Sequence, residues 1–305
     1  MRRILRTLLM GGLMFLMACR PLPAERESNP PGTPHSLDFG YGTRIETDEP
    51  GADSSLRWAA QNKFDWVALD FDWNATQPAP GTWNEDSSFA NAIRQAHSLG
   101  LATLVSVKNP PAWAVNATGP NAVETARLIL TLGRKYSSPT AVELFPAANT
   151  RSGWNAAPSP AAYAQFFEAI QESLQTENLE IYLIAGGLSN TLTSPEDMRD
   201  VDFLEQLYAV GLRPTILGIR LENLQGNPLD VPSQNSLRHY EEIRAIMVAN
   251  GHQEGLLWIT GFNLPAGTQP ETWLRQAAPM MKSQLYLGTV FYSPENLEAE
   301  WIDPH

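Results

Sequence analysis

Four carboxylates stand where they could act on a substrate: Asp70 and Asp72 in WVALDFDW, Glu143 in AVELF and Glu222 in GIRLE. Two carboxyl groups on opposite sides of a glycosidic bond can protonate the leaving oxygen and attack the sugar or activate water, so a pair drawn from these residues would suit glycoside hydrolysis. Around them lie tryptophans and amides: Trp73, Gln77 and Trp83 after the first pair, Asn109 and Trp113 in KNPPAWA, Asn149 and Trp154 in PAANTRSGW, and later Asn263 and Tyr292. Aromatic rings stack on the C–H faces of a sugar while amides take its hydroxyls. Asp72, Trp73, Trp113, Asn149, Trp154, Glu222, Asn263 and Tyr292 are therefore the candidate ligand contacts. Tryptophan is also a packing residue, and each of these has that alternative reading. Glu143 falls inside an apolar run, which favours a buried hydrogen bond, and Glu222 with Arg220 two residues away reads equally as a solvated ion pair.

Other chemistries lack their residues. His35, His97, His239, His252 and His305 show no metal-ligand spacing, so no metal is expected. Neither a phosphate loop nor a serine nucleophile elbow occurs, and no cofactor is implied. A formal charge of −12 and no Lys/Arg cluster beyond the first six residues exclude the electrostatic footprint of a nucleic-acid binder.

Eight short β-type runs must position these groups: SLDFGYG from Ser36, WVALDF from Trp66, LATLVSV from Leu101, AVELF from Ala141, IYLIAGG from Ile181, ILGIRL from Ile216, LLWIT from Leu256 and QLYLGTVFY from Gln284. Most are continuously apolar, as parallel strands covered on both faces are. Amphipathic helical stretches separate them. One follows Asp86 or Ser87 as N-cap and ends at Gly100; another has Ser236 and Gly251 in those roles. This alternation predicts an α/β fold, a single-domain (β/α)₈ TIM barrel, over a doubly wound open sheet, since no G-x-G-x-x-G follows the first run. Only NLEAEWIDPH remains after the eighth run, so the last helix is expected to be short or absent. In such a barrel the functional positions are the C-terminal strand ends, where the carboxylates, amides and tryptophans cluster.

The first 18 residues read as a signal peptide, with Arg2, Arg3 and Arg6 before an apolar run from Leu8 to Ala18. The run ends in LMAC, which resembles the bacterial lipobox, and Cys19 is the only cysteine in the chain. Residues 19–35 then form a lipidated cysteine and a proline-rich tether, and 36–305 the barrel. The expected location is extracytoplasmic, lipid-anchored to the bacterial envelope through Cys19.

Several segments carry a more specific likeness: DFDWNATQPAPGTWN after the second run, PPAWA after the third, ELFPAAN and then Trp154 after the fourth, GGLS after the fifth and WITGFN at the seventh. With these the chain resembles the clan-A glycoside hydrolases, the retaining (β/α)₈ glycosidases of xylosidase-like and cellulase-like type, over essentially Ser36 to Tyr292. In that clan the fourth strand ends in a motif of the form E-[VI]-W-N-E-P-N and the seventh in W-I-T-E-F-G. The likeness puts Ala147 at the acid/base glutamate and Gly261 at the nucleophile; Pro146 stands for an asparagine, and Arg220 and Glu222 replace the His and Tyr of strand six. Alanine and glycine can neither protonate an oxygen nor form a glycosyl intermediate. The resemblance therefore implies a glycosidase-like barrel that is non-catalytic and binds an oligo- or polysaccharide. Two alternatives stand beside it: a hydrolase with displaced carboxylates, Asp72 and Glu222, and a structural or partner-binding lipoprotein whose cleft is filled by its own side chains.

Overall fold

The computed structural model describes residues 39–47, 51–84, 87–136 and 139–293. The leader, Cys19, the tether, Asp86 and the stretch expected to hold a short last helix lie outside the described residues.

Eight parallel strands close into a barrel in chain order: β1 Gly40–Ile45, β2 Trp66–Asp72, β3 Ala102–Lys108, β4 Ala141–Leu144, β5 Tyr182–Ser189, β6 Ile216–Leu221, β7 Leu256–Phe262 and β8 Leu287–Tyr292. β8 pairs back onto β1, with Gly42 opposite Phe291. Between successive strands run α1 Ala52–Gln61, α2 Ser87–Ser98, α3 Ala122–Lys135, α4 Pro160–Thr176, α5 Asp200–Ala209, α6 His239–Ala249 and α7 Pro270–Lys282. The fold class is the one expected, a (β/α)₈ barrel.

Side chains alternate between the barrel interior and the helix-facing shell. The lower interior is filled by Trp66, Ala68, Leu104, Ile184, Ile216, Trp258 and Phe291. Trp66 and Trp258 meet edge to face with centroids 5.1 Å apart. These large rings require small neighbours: a Cβ at Gly42 would run into the Phe291 ring. The shell between strands and helices is the larger apolar cluster and includes Phe71, Trp73, Phe145, Trp154 and Tyr163.

Two local expectations are corrected. β4 ends at Leu144 because Phe145 turns to a positive φ of 54°. Ser236 does not cap a helix; its hydroxyl closes a turn onto the Ser233 N–H, and α6 starts at His239 with no side-chain cap. Gly100 and Gly251 do take positive φ just after their helices, 78° and 72°, where a left-handed residue ends the turn.

Candidate functional site

The upper interior of the barrel, toward the C-terminal strand ends, is charged. Strand register puts Asp70 beside Ser106 and Ser106 beside Glu143, while Arg220 sits beside Gly261. Arg44 enters from β1 and Lys108 from β3. Arg44 donates to Asp70 Oδ1 and to the Thr260 carbonyl, and Lys108 Nζ donates to Asp70 Oδ2 at 3.0 Å. On the other side Arg220 Nη2 donates to Glu143 Oε2 at 3.0 Å, and Ser106 donates to the same oxygen at 2.5 Å. Glu143 is fully buried, as its place inside an apolar run foretold.

Burial pushes the Asp70 carboxyl up, but Arg44, Arg220 and Lys108 outweigh it and hold it below the usual carboxylate range. Burial likewise works against the Arg220 cation, and Glu143 and Asp70 more than restore it. Asp70 is thus fixed as an anion at neutral pH, which suits an ion-pair partner and not a general acid. Gly187 on β5 closes over this network at φ 57°, where a Cβ would collide with Glu143 Oε1.

Ala147 and Gly261 both lie at the C-terminal side of the barrel. Ala147 sits three residues beyond β4 in a tight turn with φ 61°, its N–H donating to the Gly187 carbonyl and its own carbonyl accepting from Thr150. Gly261 is near the end of β7. A Cβ there would meet Arg44 Cδ at 3.5 Å, Ser293 Oγ at 3.6 Å and Arg220 Cγ at 4.0 Å, ordinary contacts that nothing need yield to.

The candidate ligand contacts divide. Trp113 is half-buried, with its indole N–H on the Gln77 carbonyl, and Asn263 is exposed; both stay at the rim. Glu222 is half-buried and accepts from the Ser189 hydroxyl at 3.3 Å. Asp72 is half-buried but occupied: Oδ1 caps the helical turn Trp73–Thr76 through the Ala75 N–H, and Oδ2 accepts from Asn109 at 2.7 Å. Four candidates are corrected. Trp73 opens the helical turn that Asp72 caps and is fully buried, against Trp113 and Phe145, with its N–H on Gln77 Oε1. Trp154 is buried against Phe145, Tyr163 and Phe166, and donates to the Thr118 carbonyl. Asn149 is fully buried and its amide is consumed by Ser189 and Met198 backbone groups. Tyr292, next to inward Phe291, packs outward on Phe262.

The displaced pair fares poorly as well. Asp72 ends β2 and Glu222 follows β6, strands that are on opposite sides of the ring and not on neighbouring walls. Retaining hydrolysis needs two free carboxyl groups about 5–5.5 Å apart, and Asp72 is already engaged by the Ala75 N–H and by Asn109. Residues that sequence reasoning missed are Arg44, Ser106 and Lys108. Their signal was available: G-x-G-x-R in β1 and S-x-K in β3 continue the inward alternation of their strands. Among the described residues, no group of three or more His, Cys, Asp or Glu side chains could hold a metal ion.

No protein-family model matches the chain, and no curated protein matches it either. Solved structures do. A family 39 glycoside hydrolase from the gut symbiont Bacteroides cellulosilyticus superposes with TM-score 0.61 at 14% identity, covering 88% of this chain and 61% of that one. A glucosidase from Croceicoccus marinus gives 0.59 at 13%, over 87% and 61%. An endo-β-1,4-glucanase from Xanthomonas axonopodis gives 0.58 at 12%, over 84% and 89%. This chain thus spans about 61% of the length of the first two. At such identities the likeness is one of fold: a glycosidase-type barrel.

Proposed function

We propose that this protein is a non-catalytic glycosidase-like barrel that binds a saccharide at its C-terminal mouth, carried on the cell envelope by a lipid at Cys19. One observation carries the non-catalytic part. The carboxylates inside the mouth, Asp70 and Glu143, are locked by Arg44, Lys108 and Arg220, while the strand-end positions expected to hold catalytic glutamates carry Ala147 and Gly261. A carboxylate held by two cations cannot lend a proton, and a fully buried one cannot reach a substrate.

Saccharide binding is supported by the fold of the glycosidases that superpose on the chain and by the polar rim of Trp113, Asn109, Glu222 and Asn263. The test is to assay the purified protein against aryl β-glycosides and a glycan array together. No turnover with selective glycan binding is expected. Turnover that Asp72→Asn or Glu222→Gln abolishes would replace this reading with that of a displaced-carboxylate hydrolase.

The burial of Trp73 and Trp154 favours a second reading, in which the barrel is a structural or partner-binding lipoprotein. A blank glycan array would select it. For the anchor, Cys19→Ser should move the protein out of the membrane fraction.

A further inference from the structure

Inside the mouth, donors outnumber acceptors. Lys108 is more exposed than Arg44, Arg220, Asp70 or Glu143, its side chain 39% accessible, and among the described residues Nζ donates to Asp70 alone. Arg220 gives Nη2 to Glu143, while its buried Nε meets no acceptor among the described residues. Arg44 gives one N–H to Asp70 and one to the Thr260 carbonyl. On the acceptor side, Glu143 is fully buried, with Oε2 taken by Arg220 and Ser106 and Oε1 meeting no donor among the described residues, and Asp70 is already shared by two cations. Three cations from β1, β3 and β6 thus pair with two carboxylates inside the mouth, while Glu46 acts on Arg44 and Glu222 on Arg220 from farther out.

Next to this surplus the barrel wall is missing a side chain. Gly261 leaves a space bounded by Arg44 Cδ, Arg220 Cγ and Ser293 Oγ that a Cβ would enter without collision. No protein carboxylate reaches it from β7.

We infer that the mouth receives a sugar bearing a carboxylate, whose anionic group lies over Gly261 among Arg44, Lys108 and Arg220. The inference rests on the saccharide-binding reading above and names the ligand class for the same site. A carboxylate accepts charge-assisted hydrogen bonds from guanidinium and ammonium groups, roughly twice as strong as neutral ones. A neutral sugar offers hydroxyls that both donate and accept, so a donor-rich mouth leaves their protons unpaired. Glu222, at the rim beyond Arg220 and held by Ser189, repels the anion from that side and turns it toward Lys108. Since the whole chain is acidic, long-range attraction gives no help; selectivity comes from the local cations.

The test is calorimetric titration of the purified protein at low salt with glucuronate, an oligogalacturonate, the corresponding neutral glucose and galactose saccharides, and acetate. The uronates should bind at least about tenfold more tightly than their neutral counterparts, and Lys108→Gln should remove about tenfold of the uronate affinity, more than it removes from any neutral saccharide. Gly261→Asp, which places the chain's own carboxylate in the space, should abolish uronate binding, with a thermal melt confirming that the variant folds. Neutral saccharides binding as tightly as uronates, or a Lys108→Gln variant with unaltered uronate affinity, would overturn the anionic class and leave saccharide binding standing. Acetate binding as tightly as glucuronate would overturn the sugar ligand, and no binding of any saccharide would overturn both readings.

Discussion

Arg220 on β6 reaches across to Glu143 on β4, Nη2 to Oε2 at 3.0 Å, and so ties together strands that are two apart in the ring. Taking two charges out of water is expensive, and their mutual attraction offsets that cost only while both are present. Removing one partner leaves the other uncompensated, and Glu143 has no exposure through which water could reach it. Arg220→Met should therefore destabilise the fold by about 3–5 kcal/mol, whereas the double variant Arg220→Met, Glu143→Leu should recover most of that loss. Denaturant titration of the four proteins in this cycle checks it. A double variant no more stable than the single one would show that the pair contributes more than mutual neutralisation.

Asp70 gives the acid limb of stability. Its folded pKa is depressed below the unfolded value of about 3.9 by Arg44, Arg220 and Lys108, against the opposing effect of burial. A depressed carboxylate contributes stability that is present above the unfolded pKa and is lost as the pH falls through the folded pKa. Wild type should thus exceed Asp70→Asn in melting temperature at pH 7, and the gap should close below about pH 4. A gap that is constant from pH 7 to pH 3 would mean that the amide variant loses packing and not a charge interaction.

Much of this architecture was legible. Eight apolar runs separated by helical stretches specify a parallel barrel because only strands covered on both faces read as continuous apolar segments. The site was harder to read. Position near a strand end brought Trp73, Trp154 and Tyr292 into the candidate set, but alternation decides which face a strand residue takes, and Phe291 holds the inward phase beside Tyr292, while Trp73 opens the helical turn capped by Asp72. Trp154 lies beyond β4 in a one-turn helix, where strand phase no longer applies; its direction is set by Thr150 capping that turn and by the Thr118 carbonyl. Asn149 was recognisable as a polar residue of the mouth, but its partners come from Ser189 and Met198, 40 and 49 residues on, and no local pattern announces them. The ion pairs show the same limit: Arg44 and Asp70 each had the right phase, and it is the β1–β2 register, with Arg44 opposite Ala68, that made them neighbours.

A second titration acts at alkaline pH. His239 at the start of α6 is almost wholly buried; its Nε2 lies 2.6 Å from Asp200 Oδ2 at the start of α5 and its Nδ1 3.0 Å from Glu242. Burial pushes the imidazole pKa down, but the two carboxylates outweigh it and raise it above its usual value. A raised His contributes stability that is complete below the unfolded pKa, about 6.5, and is lost as the pH rises through the folded pKa. The melting temperature of wild type should fall on going from pH 6.5 to pH 9, and that of His239→Gln should vary less over the same range. Parallel profiles for the two proteins would remove His239 as the cause.

Two glycines of the mouth make opposite predictions, and together they test how closely the network is packed. Gly187 sits at φ 57° with its missing Cβ aimed at Glu143 Oε1 and near Pro146 Cα, so Gly187→Ala meets both an unfavourable backbone conformation and a collision with a buried, ion-paired carboxylate. Left-handed strain alone costs about 1–2 kcal/mol for a residue with a Cβ. Displacing Glu143 from Arg220 and Ser106 adds to it, since the carboxylate has no water to turn to. Gly187→Ala should therefore lose at least about 2–3 kcal/mol in denaturant unfolding. Gly261→Ala has no such obstacle: its φ is not in the left-handed region, and the new methyl would lie 3.5 Å or more from Arg44, Ser293 and Arg220. Replacing glycine in a strand also removes unfolded-state entropy, so Gly261→Ala should be neutral or stabilising by up to about 1 kcal/mol. The reverse ranking, with Gly261→Ala the more damaging, would mean that the wall beside Arg44 and Arg220 is closed, and the space assigned there to a ligand carboxylate would not exist.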